Sequence, residues 1–197
     1  MPLRTLLATL ALIVSASTAF ADSSSRALAS YYERHMALEG GVAFGWLGRG
    51  EPRRQLGGVV QVGVSRDAYF ALLADGTLLT WADAPERATT LMRGVKSFAA
   101  GASGWFAIDA AGVLWHAGVG SAAPQRIADD VIEACVGDSA DYFIQRDGTL
   151  YVKGLAHRGQ YGDASSRPRP ALSPPRVRPR ASKPTPATPS TCAATAW

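Results

Sequence analysis

The chain has 197 residues, of which 18% are charged and 47% hydrophobic, a composition typical of a folded protein and unlike that of a wholly disordered chain. Its formal net charge of +4 is unevenly placed: residues 22–163 hold 13 basic and 16 acidic side chains, whereas residues 164–197 hold six basic and no acidic ones. The basic balance therefore belongs to the C-terminal segment, and a specific nucleic-acid site in the remainder is not expected.

The first 21 residues have the pattern of a secretory signal peptide. Arg4 gives a positively charged start, residues 6–14 form a short apolar stretch, and residues 19–21 provide an A-x-A cleavage site. We therefore expect an N-terminal signal helix, cleavage after Ala21, and export to the periplasm or the extracellular space. An uncleaved anchor is the alternative, but the apolar stretch is short for a bilayer, so no transmembrane anchor is expected after signal removal.

An internal repeat of 36 residues follows the signal. It is marked by the glycines Gly40, Gly76, Gly112 and Gly148. Three further columns keep the same period, namely Met36, Leu72, Ile108 and Ile144; Val59, Val95 and Val131; and Ser65, Gly101 and Gly137. Several chemically matched columns at one period are hard to explain by chance. We therefore divide residues 22–163 into four units, at about 23–58, 59–94, 95–130 and 131–163.

Each unit has the pattern of short β-strands. In the third unit we expect strands at 95–100, 105–109, 113–117 and 125–127, because aromatic and β-branched residues fill these stretches. Asp-Gly pairs at 75–76 and 147–148 predict hairpin turns, since glycine accepts the positive φ that such turns need. Residues 26–38 could form a helix in isolation, but the repeat register favours the opening strands of the first unit.

Four short strands every 36 residues are typical of β-propeller blades. Residues 30–46 resemble the repeat of the regulator of chromosome condensation family, in which an aromatic strand, an acidic-Gly turn and a second strand ending near Trp-Gly follow one another. Residues 75–81 and 147–151 are similar to the same element, and residues 157–163 are similar to the family's Gly-Gln-Leu-Gly loop. The chain departs from the pattern where Lys153-Gly154 replaces Trp-Gly.

The resemblance implies an all-β fold, a partial β-propeller of about four antiparallel blades, where family members usually close seven. Nucleotide-exchange activity of the nuclear family member is not carried over, because no residue here matches a specific exchange site. Residues 164–197 carry eight prolines and no glycine, which predicts a disordered Pro/Arg-rich tail. Either this is a genuine tail that contacts an anionic surface, or it is a truncated or frame-shifted ending. The abrupt loss of the repeat columns favours the second interpretation.

Candidate chemical groups are few, and most have a structural explanation. The three histidines lie at different phases of the repeat, so no metal site is expected from His35, His116 and His157. Carboxylates before turn glycines are expected to serve the turns; they are Glu39, Asp75 and Asp147. Asp138 and Asp141 are expected in a solvated loop, since the loop lacks the acidic count of a calcium site.

Tryptophans and cysteines are also expected to be structural. Strand tryptophans are expected to pack within and between blades instead of forming a sugar platform; they are Trp46, Trp81, Trp105 and Trp115. Cys135 aligns with Gly63 and Ala99, so we expect a buried small side chain. Cys192 lies in the tail and is the thiol more available for intermolecular pairing.

These features predict an exported, non-catalytic propeller module that binds a protein or glycan partner through its loops. No catalytic residue, cofactor or metal site is expected, and the open end blades are expected to permit self-association. The alternative is a propeller hydrolase or lyase acting on surface polymers, which would need histidine, carboxylate or tyrosine groups converging at the blade rims. A non-functional fragment of a longer propeller is a third hypothesis.

Overall fold

The computed structural model describes residues 28–118, 121 and 123–154, together with the backbone of residues 169–173. The expected signal peptide, its cleavage site at Ala21, the loop at 157–163 and the remainder of the tail lie outside these residues. Within them the chain is almost entirely β-structure, and a single turn of 3₁₀-helix lies at Pro85–Arg87.

Sixteen described strands form four antiparallel sheets of four strands, one sheet per repeat and in chain order. Blade 1 contains β1 (Leu28–Tyr31), β2 (Arg34–Glu39), β3 (Val42–Leu47) and β4 (Arg53–Gly57). Blade 2 contains β5 (Val59–Val64), β6 (Tyr69–Leu73), β7 (Leu78–Trp81) and β8 (Thr89–Met92). Blade 3 contains β9 (Val95–Gly101), β10 (Gly104–Asp109), β11 (Leu114–Gly118) and β12 (Gln125–Ala128). Blade 4 contains β13 (Val131–Val136), β14 (Ala140–Gln145), β15 (Leu150–Gly154) and β16 (Arg169–Ser173).

The 36-residue period is visible in the backbone itself. Each first strand of blades 2 to 4 carries one unpaired extra residue opposite the second strand, at Val60, Lys96 and Ile132. Backbone hydrogen bonds also repeat between blades: Val95 N donates to Gly76 O at 2.9 Å, and Val131 N donates to Gly112 O at 2.9 Å. Equivalent atoms therefore form equivalent bonds one repeat apart, which confirms the predicted all-β propeller.

The first blade departs slightly from the repeat. Its central hairpin has a two-residue turn at Gly40-Gly41, so that Glu39 pairs directly with Val42. The hydrogen bond from Val59 N is therefore accepted by Gly41 O, one residue after Gly40, which is the equivalent of Gly76 in the first blade. Residues 28–38 form β1 and β2, so the strand interpretation of this stretch is confirmed over the helix.

Blade cores lie between neighbouring sheets. Three clusters of buried apolar side chains join blades 1 and 2, blades 2 and 3, and blades 3 and 4. Met36, Phe106 and Leu114 are each at most 1% exposed in these clusters. Among the described residues, no such cluster joins blade 1 to blade 4, so the four blades form an arc in which each sheet packs on the next.

The boundary expected after Asp163 is corrected by strand β16. This strand lies in the segment assigned to the disordered tail, yet it pairs with β15, with Ser173 opposite Val152 and Arg169 opposite Gly154. Proline content favoured disorder, but β16 is an edge strand, and proline is tolerated at an edge because its missing N–H removes no bond from the sheet interior. The outer edge of β15 thus obtains a backbone partner from beyond the recognisable repeat.

Candidate functional site

The turns between the first and second strands of the four blades lie at one end of the arc. They comprise residues 32–33, 65–68, 102–103 and 137–139, and we call this end the inner-turn face. At the opposite end lie the hairpin turns whose glycines form the bonds between blades. The side chains described next lie on or just below the inner-turn face.

One contact on this face connects the first blade with the fourth. Tyr31, at the end of β1, is 7% exposed, and its hydroxyl donates a hydrogen bond to Asp138 Oδ1. Burial, together with the hydrogen bond and the negative charge of Asp138, raises the pKa of the Tyr31 hydroxyl, which stays protonated and able to donate. The contact joins residues 107 positions apart and shows how strongly the arc curves.

An exposed aromatic and cationic pair stands beside this contact. Tyr32 is 60% exposed, and its ring packs edge-on against Tyr31 with centroids 4.9 Å apart. The guanidinium carbon of Arg66 lies 5.3 Å from the centre of the Tyr32 ring, within cation–π distance. Tyr32 also has a positive φ of 50°, a backbone conformation that residues other than glycine rarely adopt. The backbone thus holds a tyrosine outward at the rim.

Arg34 closes the mouth of the first interface between blades. Its Nε donates to Arg66 O at 3.0 Å and its Nη1 to Ala82 O at 2.7 Å. Its guanidinium carbon lies 4.9 Å from the centre of the Tyr69 ring. Two carbonyl acceptors and one aromatic face therefore hold one guanidinium.

The mouth of the second interface is open. A cleft of about 200 Å³ lies there between blades 2 and 3. Its apolar lining is formed by Phe70, Leu91, Ala102 and Trp105, and its other lining residues include Ser65, Asp67, Thr80, Gly118 and Ser121. Phe70 and Trp105 are only 5% and 6% exposed, so they form the floor of the cleft and present no flat platform.

The third interface has an apolar core, but polar groups lie between the blades beside it. Asp141 is 5% exposed and accepts a hydrogen bond from the Ser103 hydroxyl at 2.8 Å. The His116 ring lies 4.9 Å from Phe106 between centroids, and its buried Nε2 has no hydrogen-bond partner among the described residues. Lys153, opposite Asp141 in the sheet, completes the group. We call Ser103, His116, Asp141 and Lys153 the polar seam.

Burial dominates the electrostatics of the polar seam. It raises the pKa of the Asp141 carboxyl, although the Ser103 hydrogen bond and the nearby His116 and Lys153 oppose this. Burial, reinforced by the Lys153 charge, lowers the pKa of His116, against the opposing effect of Asp141. The serine hydroxyl donates to the Asp141 carboxylate and not to the His116 imidazole, so the three residues do not form a serine–histidine–aspartate triad.

The predicted solvated loop is wrong for Asp141, which is buried in a strand, but right for Asp138, which is exposed in the turn at 137–139. Asp138 accepts the Tyr31 hydroxyl, and Asp141 is buried between blades. A sequence signal for Asp141 existed: it lies 36 residues after Trp105 and 72 after Tyr69, both buried aromatic residues of the earlier interfaces. A carboxylate at a repeat position that otherwise holds a buried aromatic residue indicates polar groups between those two blades.

The turn residues lie at the end opposite the inner-turn face. Gly40, Gly76, Gly112 and Gly148 have φ values of 55°, 80°, 82° and 85°. The backbone N–H groups of Thr77 and Thr149 donate to Asp75 and Asp147 at 2.9 and 2.8 Å and lower the pKa values of both carboxyls. The third blade has Ala111 in this column. Asp109 accepts from the Val113 N–H there instead, at 3.0 Å.

The remaining candidate residues are not brought together. His35 accompanies Ser30 and Trp46 on blade 1, His116 belongs to the polar seam, and His157 lies outside the described residues. Trp81 and Trp105 are buried between blades, whereas Trp46 and Trp115 are half-buried; the Trp115 indole donates to Asp109 at 2.9 Å. Cys135 is half-buried and not fully buried as predicted, and Cys192 lies outside the described residues.

The described part of the chain contains no group of three histidine, cysteine, aspartate or glutamate side chains placed to bind a metal ion. It also contains no helix with the length and apolar character needed to cross a bilayer.

The chain matches known proteins in structure but not in sequence. No family model matches the chain, and no curated protein matches its sequence. Among solved structures, that of Kap60 bound to yeast RCC1 (Prp20) matches with a TM-score of 0.65 at 14% identity, over 76% of this chain and 48% of that chain. Prp20p from Saccharomyces cerevisiae matches with 0.64 at 16%, over 76% and 50%, and human WBSCR16 with 0.63 at 19%, over 76% and 52%.

The chain spans about half the length of these matched structures. At such identities the likeness concerns the backbone alone. Together with the four sheets in chain order, it establishes that the described blades have the RCC1-type β-propeller fold.

Proposed function

We propose that this chain is an exported, non-catalytic propeller scaffold that binds a protein partner through its inner-turn face. The observation that carries the proposal is the exposed Tyr32, held outward at a positive φ and covered on one side by Arg66. Tyrosine and arginine are the side chains most enriched at the energetic centres of protein interfaces. A fixed aromatic residue next to a cation therefore suits recognition of another protein.

A protein partner suits this face better than a glycan. Sugar rings stack on flat, accessible aromatic faces, but Trp81 and Trp105 are buried between blades at 3% and 6% exposure. Trp46 is stacked on His35, with centroids 5.3 Å apart. The similar fold of yeast Prp20 is known with Kap60 bound, and Prp20p binds Gsp1p and histones. These partners belong to that protein, but they support protein recognition as a use of such blades.

The side-chain geometry supports a scaffold over an enzyme. The hydroxyls of Tyr31 and Ser103 both donate to a carboxylate of another blade, so both serve contacts between blades, and neither donates to a histidine. The imidazole of His116 has its Nε2 buried between blades, away from any substrate approaching the face. Export to the periplasm or extracellular space is the localisation that the signal pattern of residues 1–21 supports.

A photo-crosslinking experiment tests the proposal. A benzoyl-phenylalanine at position 32 samples the inner-turn face, and the same residue at position 147 samples the exposed turn at the opposite end. In cells that express the chain, we expect position 32 to capture a discrete protein in the envelope or medium fraction, and position 147 to capture none. Equal capture at both positions, or only carbohydrate adducts at position 32, would contradict a protein-binding inner-turn face.

A further inference from the structure

The open cleft between blades 2 and 3 has the same repeat position as the guanidinium of Arg34 in the preceding interface. Arg34 lies on the Tyr69 ring and donates to the carbonyls of Arg66 and Ala82. One repeat later the aromatic residue is Trp105 and the two carbonyls belong to Ala102 and Gly118. All three of these residues line the cleft.

The residue that would fill this cleft from within the chain is missing. The position of Arg34 is taken 36 residues later by Phe70, which packs against Phe98 at 6.2 Å between centroids and has no group to donate. At the third interface the side chains of the polar seam take the corresponding place. The second interface has no side-chain donor at this position, and Gly118 O accepts one hydrogen bond, from Ser121 N at 3.0 Å, which leaves its second lone pair for a ligand.

The charges at the mouth of the cleft favour a cation. Asp67 is exposed on the rim, and no ion pair of its carboxylate occurs among the described residues. Arg66 also borders the cleft, but its guanidinium lies over Tyr32 of blade 1. A carboxylate and carbonyl oxygens above an apolar floor suit a guanidinium, whose five N–H groups can reach the oxygens and whose weak hydration tolerates apolar contact.

We propose that the cleft between blades 2 and 3 binds an arginine side chain of a partner protein, in the way that Arg34 occupies the equivalent position within the chain. The volume of about 200 Å³ suits a single side chain. This inference rests on the proposed protein-binding function and specifies the recognition element. It also gives a role to Gly118, which lies beside the cleft and has room for a Cβ, but where a larger side chain would narrow the cleft.

The test uses N-acetyl-arginine N-methylamide as the probe, with the citrulline and lysine analogues as controls. Binding to the purified chain is followed through the backbone amide NMR signals of Ala102, Ser103 and Ser121. We expect saturable shifts with arginine and at least about tenfold weaker binding of citrulline, which has nearly the same shape but no charge and two N–H donors fewer. Lysine should also bind more weakly, because its ammonium cannot bridge two carbonyls in one plane.

Three variants locate the site. Gly118→Leu should abolish the shifts by filling the cleft; a Cβ at this position meets only Ser103 O, at 3.8 Å, so the fold tolerates it. Asp67→Asn should weaken binding about threefold, as expected for an exposed charge. Asp83→Asn, an exposed carboxylate on the neighbouring β7–β8 loop and outside the cleft lining, should change nothing.

Equal binding of arginine and citrulline, or arginine shifts that survive Gly118→Leu, would overturn the assignment. The absence of saturable shifts at the three amides would overturn it as well. Capture of a protein at position 32 without arginine binding would reject the cleft proposal alone. Arginine binding without capture would reject the wider function and leave the cleft as a site.

Discussion

Single positions of the repeat decide the character of each interface. The column of Tyr69 and Trp105 contributes buried aromatic rings to the first and second interfaces, and the third has Asp141 there. The column of Trp81 similarly continues as Ala117 and Lys153. A buried carboxylate and an unpartnered imidazole nitrogen are unfavourable for folding, because both lose hydration without full replacement. At these two columns, the third interface therefore has groups that respond to pH in place of apolar side chains.

The polar seam predicts a pH-dependent stability with two opposing parts. The pKa of His116 is lower in the folded protein than the ordinary value of 6.5. The stability contributed by the neutral imidazole is therefore complete above pH 6.5 and is lost as the pH falls through the pKa of the folded state. The pKa of Asp141 is higher in the folded protein than the ordinary value of 3.8. The stability contributed by the protonated carboxyl is therefore complete below pH 3.8 and is lost as the pH rises through the pKa of the folded state. Lys153 faces both groups.

Substitution separates these two parts. We expect His116→Phe to gain stability relative to the unmodified chain as the pH falls from 7.5 to 5, since Phe cannot take up a proton. Asp141→Asn should stabilise by about 1 kcal/mol at pH 7.5, because it removes a buried charge and retains an acceptor for Ser103. That advantage should shrink towards pH 4. Urea unfolding at each pH measures both effects, and parallel pH profiles for all three proteins would contradict the assignment.

Strands and hairpins are held together by a backbone bond that repeats between blades. The hairpin glycine of one blade accepts from the first residue of the next, as in Gly76 with Val95 and Gly112 with Val131. Both glycines have a positive φ near 80°. They differ in the room available for a side chain. A Cβ added to Gly76 would lie 3.2 Å from Val95 O, whereas a Cβ added to Gly112 would lie 3.7 Å from Val131 O. The two hairpins thus share a conformation and differ in how tightly the next blade is packed on them.

A matched pair of alanine substitutions tests this difference. Gly112→Ala should destabilise by about 1 kcal/mol, the strain of a left-handed alanine. Gly76→Ala should destabilise by about 2 kcal/mol, because the added methyl also crowds the bond between the blades. Denaturant unfolding followed by tryptophan fluorescence measures both values. Equal losses would show that the close approach of Val95 has no energetic consequence.

The strands were predictable from the sequence because their determinants are local. Asp-Gly pairs, β-branched residues and the 36-residue columns place the four strands of blade 3 within one residue at each end. The contact between Tyr31 and Asp138 was not predictable, since it depends on the curvature of four blades. Strand β16 was missed because an edge strand needs only backbone partners, which leave no repeat pattern. The cleft was missed because it is a space that appears only when Arg34 and Phe70 are compared in three dimensions.

On the scale of the whole molecule, the four blades form an arc stabilised by contacts between neighbours. In such arrays the free energy of unfolding is approximately a sum of blade and interface contributions. The Tyr31–Asp138 hydrogen bond crosses from blade 1 to blade 4, but the described apolar clusters join only consecutive blades. By strand alternation, His35 and Trp46 lie on the face of blade 1 that points away from blade 2, near Leu28, which is 71% exposed. An aromatic end face of this kind favours association.

Sedimentation velocity of the purified chain tests the open arc most directly. We expect dimers or larger species at micromolar concentration, because the end faces carry apolar side chains that water solvates poorly. The variant Trp46→Glu should shift the distribution towards monomer by placing a charge on the end face of blade 1. A monodisperse monomer with a cooperative melt at high temperature, unchanged by Trp46→Glu, would contradict the open arc and indicate compact closure of the four blades.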